Sequence, residues 1–312
     1  MRHNICHTLG RGLAVFGISD LASMKVQSRF RKTASRADVA LAQAVAAVNG
    51  ADLDRAERIV RDVLTKDPQH ADAMQLLGAV LLAQQRPLEA VAPLEAVARA
   101  SANPEVETHL AIALREIGRP AEALKWLYLA VEREPPYARA FQELGDLLRT
   151  QCKYAEAEAV LKRGVEAAPT MRELSLSLGG VYLDRADAAN AKVAFARVLA
   201  ISPGDPDALM GVGIALQYEG DFAHAADRFR QVLASDPAHP RARMNLGYCL
   251  IELGRIDDGL ACLRATVQAT PEVYGSVLRL LIAAGRGRFW LRRSAAAASL
   301  GFDGAASAQD GP

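Results

Sequence analysis

The sequence predicts an all-α protein, an array of antiparallel helix pairs stacked one on the next. Three observations carry that expectation. A small residue, an alanine and a proline return together at a shift of about 34 residues, and a fixed period of this length signals a repeat array. Inside each period, apolar residues fall at helical spacings of three and four. The chain is 51% hydrophobic yet only 5% aromatic, so aliphatic and alanine side chains must build the core, which suits close-packed helices better than a β-branched, aromatic sheet.

Residues 138–171 show how each element follows. Phe141, Leu144, Gly145 and Leu148 line one face of a first helix. A turn comes around Cys152–Tyr154, and Ala157, Val160, Leu161 and Gly164 form the stripe of a second helix. The small residues let two helix backbones approach closely. Pro169 stops the second helix, because proline has no N–H to donate and restricts the residue before it. Gly145 recurs as Ala44, Gly78, Ala111, Gly179, Gly213 and Gly247. Ala157 recurs as Ala56, Ala90, Ala123, Ala191 and Ala225, and Pro169 as Pro68, Pro135, Pro203, Pro237 and Pro271. Units therefore start near Ala37, Ala71, Pro104, Ala138, Arg172, Pro206 and Pro240. The second is one residue short and ends at Asn103. The seventh carries Gly259 in place of alanine and Thr266 in place of an apolar residue, which predicts a looser last unit.

No such unit buries its apolar face alone, so neighbours must stack and the ends need caps. Val273, Val277, Leu280, Leu281 and Ala284 give one more helical stripe after the last unit. The expected organisation is a basic segment at 1–36, the array at 37–271, capping helices at 272–300 and a disordered tail at 301–312. Met24 is a second candidate start, with residues 1–23 then outside the natural chain.

Over residues 37–271 the joint small–alanine–proline pattern resembles the tetratricopeptide repeat family. The resemblance implies a right-handed α-solenoid of seven units plus a C-terminal capping helix. It also implies a scaffold without catalytic activity or cofactor, which binds a protein or peptide on the concave surface lined by the first helix of each unit. A second expectation is an accessory subunit that recruits substrates for a transferase or another bacterial enzyme system.

Charge and motifs narrow the function classes. Residues 1–36 hold seven Lys/Arg against Asp20, a net +6, while the array carries a net −7 and residues 272–312 a net +2. Four cysteines in 312 residues make no disulfide framework. No apolar run approaches the roughly 18–20 residues that span a bilayer, and Leu13–Ile18 is short for a signal-peptide core, so the cytoplasm is the expected compartment. No phosphate loop, nucleophile elbow or zinc helix motif occurs. "GVGIAL" at Gly211 lacks a third glycine and a preceding strand, so its glycines read as packing positions. Asp52–Asp54 and Asp205–Asp207 lie at helix junctions, where aspartate caps exposed N–H groups. His3, Cys6 and His7 cluster metal-ligand types without a fourth partner, and Cys249 and Cys262 read as ordinary buried thiols.

By the family analogy, positions two, five, nine and twelve of each unit face a partner. They supply Asp38, Asp72, Glu105, Arg139, Glu173, Asp207 and Arg241 at position two, Asp146 and Tyr248 at nine, and Arg115 and Arg149 at twelve. The face is acidic in balance, with Arg115, Arg139 and Arg149 as a cationic island suited to carboxylates. Position five holds no lysine, and Asn245 is the one asparagine at position six, so the pattern that grips chaperone tails is missing. The expected ligand is a protein or peptide rather than a small molecule or nucleic acid. The tail Arg286–Leu300 sets four arginines beside Phe289 and Trp290; it reads as a sealing helix, with a membrane or nucleic-acid contact as the alternative. The basic arm Lys25–Arg36 is a candidate competitor for the acidic face.

Overall fold

A computed structural model describes residues 35–283. The expectations for the N-terminal arm, for His3, Cys6 and His7, and for the tail from Ala284 onward lie outside those residues. The described chain is an all-α solenoid, without a strand among the described residues. In order, its helices are α1 (Arg36–Asn49), α2 (Leu53–Lys66), α3 (Ala71–Ala83), α4 (Pro87–Ala100), α5 (Pro104–Glu116), α6 (Pro120–Ala130), α7 (Ala138–Thr150) and α8 (Tyr154–Ala167). They continue as α9 (Arg172–Asp184), α10 (Ala188–Ile201), α11 (Pro206–Glu219), α12 (Phe222–Ser235), α13 (Pro240–Glu252), α14 (Ile256–Ala269) and α15 (Tyr274–Ala283). A short 3-10 turn, Pro271–Val273, precedes α15.

The chain divides into two compact units, one up to Leu174 and one from Ser175. In the first, each helix from α1 to α8 packs on the next, and α5 also touches α3 and α7. The first helices of consecutive pairs thus form an inner layer, backed by α2, α4, α6 and α8. Leu41, Leu76, Leu110, Leu144 and Leu161 are buried between the layers. The second unit repeats the scheme from α10 to α15, with α11 against α13 and α13 against α15.

Local chemistry fixes where each helix begins and ends. Ser35 and Asp38 exchange hydrogen bonds in a capping box that opens α1. Asp52, Asp187 and Asp221 accept backbone N–H groups at the starts of α2, α10 and α12. Arg86, Arg119 and Arg255 take the same place before α4, α6 and α14, and each instead pairs with an acid three residues on. Between the two helices of a pair the turn is the same every time. A residue of positive φ (Ala51, Gln85, Gly118, Cys152, Ala186, Gly220, Gly254) closes the first helix. The next N–H then donates to the carbonyl five residues back, as Lys153 does to Leu148 at 3.0 Å and Arg255 to Leu250 at 2.8 Å. This is the Schellman arrangement, which satisfies carbonyls the helix leaves open.

The repeat's small residues are where helices meet. A β-carbon built on Gly145 would lie 2.4 Å from Leu161 Cγ. The last pair corrects the expectation of a looser unit. A β-carbon on Gly259 would lie 2.7 Å from the Gly247 carbonyl oxygen, so the departure from alanine brings two backbones closer. Thr266 is fully buried there, and its hydroxyl donates to the Cys262 carbonyl at 2.8 Å, which removes the cost of hiding a polar group. Val277, Leu280 and Leu281 of α15 are buried, and Val277 and Leu281 join Ile251, Leu263 and Val267 in one cluster.

Candidate functional site

All the residues singled out for recognition sit on first helices, yet the structure joins only some of them. In the first unit, Asp72 lies exposed in the opening turn of α3. Glu105 is half-buried at the start of α5, and its carboxyl is pushed up by desolvation against the pull of a hydrogen bond from Gln75. Arg115 ends α5, while Arg139, Asp146 and Arg149 follow one another along α7. Glu173 opens α9 and faces Arg172 at 3.6 Å.

Arg115 and Arg139 are brought together by a residue that the sequence pattern passed over. Glu143, one helical turn after Arg139, is only 2% exposed and accepts from both guanidinium groups. Arg115 Nη1 donates to Oε2, and Arg139 Nη2 donates to Oε1 at 3.2 Å. The arginine side chains keep 27% and 12% of their surface, so they reach solvent where Glu143 does not. Glu116 registers the same field: its carboxyl is pushed up by desolvation and by Glu143, against the pull of Arg115.

Two further groups lie beneath this face. Glu107 is fully buried and accepts from Arg133 Nη2 at 2.7 Å. His109 is 1% exposed, and burial, then the charge of Arg139, pushes its pKa down to about 3, so the ring is neutral. Beside Glu143, the buried Gln142 Oε1 receives no hydrogen bond. Sequence reasoning missed Glu107, His109, Gln142 and Glu143 because each is a polar residue within a helical stripe. Arg133 lies 26 residues after Glu107 and Arg115 lies 28 before Glu143, separations that match no repeat period; the i,i+4 spacing of Arg139 and Glu143 was the available signal.

The second unit presents a different inner surface. Met210 of α11 is buried and Met244 of α13 half-buried. Asp207 is exposed on α11. Arg241 of α13 is half-buried, its pKa drawn down by desolvation and back up by Asp207. Asn245 offers its carbonyl to Gln217 Nε2 at 3.4 Å, and the same amide donates to Cys249 Sγ at 3.2 Å. Tyr248 meets Phe222 edge to face at 5.8 Å, and desolvation followed by the Glu252 charge pushes its phenol up to about 12. Cys249 is pushed up to about 12 by burial, which leaves it a thiol rather than a nucleophilic thiolate. Cys152 lies exposed at the α7–α8 turn. Among the described residues, no group of three or more His, Cys, Asp or Glu is placed to hold a metal. No described helix is long and apolar enough to cross a membrane.

Comparison with known proteins adds the following. Residues 41–104 and 143–206 match one tetratricopeptide repeat model, and residues 216–284 match a second. No curated protein matches the chain. Among solved structures, a tetratricopeptide repeat protein from Parabacteroides merdae is similar with a TM-score of 0.60 at 16% identity, over 78% of this chain and 98% of that one. PilF of Pseudomonas aeruginosa gives 0.59 at 20% identity, over 70% and 99%. Human IFIT1, solved as a dimer with m7Gppp-AAAA, gives 0.59 at 14% identity, over 87% and 69%. At these identities the likeness is one of fold.

Proposed function

Since the chain belongs to the tetratricopeptide repeat family, whose repeats typically serve as interaction modules, we propose that it is a non-enzymatic scaffold that holds a protein or peptide on its inner helix layers. One observation carries the reading. Arg115 of α5 and Arg139 of α7 both donate to one buried glutamate, Glu143, and their side chains stay partly exposed. Guanidinium groups only donate hydrogen bonds and stay charged, so the arrangement suits recognition of an acidic group and not proton transfer. Asp72, Glu105, Asp146, Arg149 and Glu173 flank it on the first unit. Asp207, Arg241, Asn245 and Tyr248 offer the second unit a more apolar surface with polar punctuation, for a separate stretch of partner.

Affinity capture with the intact protein tests this. The wild type is expected to retain a protein that Arg115→Glu/Arg149→Glu loses, with far-ultraviolet circular dichroism unchanged between the two. Equal capture by both would remove the arginines from the binding surface.

A further inference from the structure

Two inner helices open on the same construction, Asp-Pro-X-His: Asp67 to His70 before α3, and Asp236 to His239 before α13. In the first, Asp67 Oδ1 accepts from the Gln69 N–H at 3.2 Å, and the His70 N–H donates to the Asp67 carbonyl at 3.2 Å. In the second, Asp236 Oδ1 accepts from the Ala238 N–H at 3.0 Å, and the His239 N–H donates to the Asp236 carbonyl at 3.1 Å. Each turn thereby aims an imidazole at the opening of its helix. His70 Nδ1 accepts from the Ala73 N–H at 3.4 Å, and His239 Nδ1 from the Ala242 N–H at 3.1 Å. A backbone N–H can only donate, so each ring must present a lone pair at Nδ1, which only the neutral imidazole has. Protonation replaces that lone pair with a second donor and sets a positive charge at the positive end of the helix dipole. At the same place before α11, Asp205 Oδ1 accepts from the Ala208 N–H at 3.0 Å, an acceptor that lasts until the carboxylate itself is protonated. The charges around the two rings differ. On the side of His70 they are Asp67, Asp72, Glu105 at the start of α5, and Lys66 and Arg99 in the last turns of α2 and α4. Asp38 of α1 joins them, its carboxyl drawn down by hydrogen bonds with Ser35 and further by His70. On the side of His239 they are Asp236, Arg241, Arg243, Asp205 and Asp207 at the start of α11, and Glu272 before α15, while the last turns of α12 and α14 carry none. In both settings the acceptor for the third N–H of the helix is the ring itself.

We propose that His70 and His239 are proton-released caps: uptake of a proton on either ring frees the first turn of α3 or α13. Those turns carry Asp72 and Arg241, so the consequence is a binding surface that loosens in acid at two places, one in each compact unit. That consequence rests on the scaffold reading above, whereas the caps stand on their own geometry.

The test follows the full-length, isotope-labelled protein by nuclear magnetic resonance from about pH 8 to about pH 4.5, which spans the range where imidazoles commonly titrate. Each histidine ring is read directly, beside the amides of Ala73 and Ala242 and, as a reference, Ala208. The Ala73 and Ala242 amides are expected to shift with the midpoints of the His70 and His239 rings. Once the rings are charged, their protection from exchange with water should fall about fivefold, the loss that one N-cap implies. Ala208, capped by a carboxylate, is expected to keep its shift and protection while the rings titrate. His70→Asp and His239→Asp put the Asp205 arrangement in place, and each is expected to abolish the response of its own amide alone. The proposal is overturned if either ring is protonated while its amide keeps shift and protection, or if either ring stays neutral throughout. It is equally overturned if Ala208 moves with the other two amides, or if the response persists in the aspartate variants. The wild-type titration decides the matter even if a variant fails to fold. No partner enters these measurements, so their failure leaves the scaffold standing. Capture that survives Arg115→Glu/Arg149→Glu defeats the scaffold reading and not the caps.

Discussion

His109 lies on the inner helix α5 at 1% exposure, and its ring is held neutral by burial and by the nearby charge of Arg139. Its pKa falls from 6.5 in an open chain to about 3, so the unfolded state takes up a proton that the folded state refuses. The stabilisation is fully present above about pH 6.5 and is lost as pH falls towards 3. The expected slope is up to about 1.4 kcal/mol per pH unit between pH 6 and 4, for one proton. Urea unfolding of wild type against His109→Gln, at steps across that range, should show the shallower loss in the variant. Parallel curves would place the titration elsewhere. At this scale the sequence was least legible. A glutamate such as Glu143 reads as a solvated group, because in isolation its burial costs several kcal/mol. Arg139 on the same helix and Arg115 from one repeat earlier together make the burial tolerable, and a one-dimensional pattern does not display the second pairing. Arg115 and Arg139 themselves were legible, since a position in the repeat is enough to place a side chain on the inner face.

The helix pairs were the most legible part, because their signal is periodic. Small residues at fixed places mark where Leu161 or Leu263 presses on the neighbouring helix, and prolines mark where helices stop. The turn inside each pair was half legible. Gly118, Gly220 and Gly254 announce a positive φ, whereas Ala51, Gln85, Cys152 and Ala186 adopt the same conformation with a β-carbon in place. For an L-residue that conformation costs about 1–2 kcal/mol, held here by the hydrogen bond that closes each turn. Gln85→Gly and Cys152→Gly are therefore expected to stabilise the protein. Each should add about 0.5 kcal/mol once the greater freedom of glycine in the unfolded chain is subtracted. Gly220→Ala should cost a similar amount. Thermal melts of the three single variants check the signs, and a lowered Tm for both glycine variants would contradict the account.

Across the whole molecule, each pair needs a neighbour to cover it, so stability should be a sum over adjacent pairs. At the end of α8, Gly164 lies under Phe141 and the Leu174 side chain that α9 brings over it. A fragment of residues 35–184 is expected to keep the helical signal and cooperative melt of the first unit. The shorter fragment 35–171 lacks α9 and with it Leu174, and should be less stable by at least about 2 kcal/mol, the worth of one buried leucine. Equal melting of the two would show that α9 gives that pair no cover. The uneven charge was visible in the sequence, whereas the contrast between a polar inner face before Leu174 and a methionine-containing one after it emerged with the fold. The second unit holds one more consequence. The Phe195 ring of α10 fills the space where β-carbons of both Gly179 and Gly211 would stand, each within 2.5 Å of ring atoms. A ring wedged between two backbones turns over only when the helices part, so its rotation is a clock for the breathing of α9 and α11. The glycines that permit the tightest contact in this unit thereby make an internal reporter of how often that contact opens.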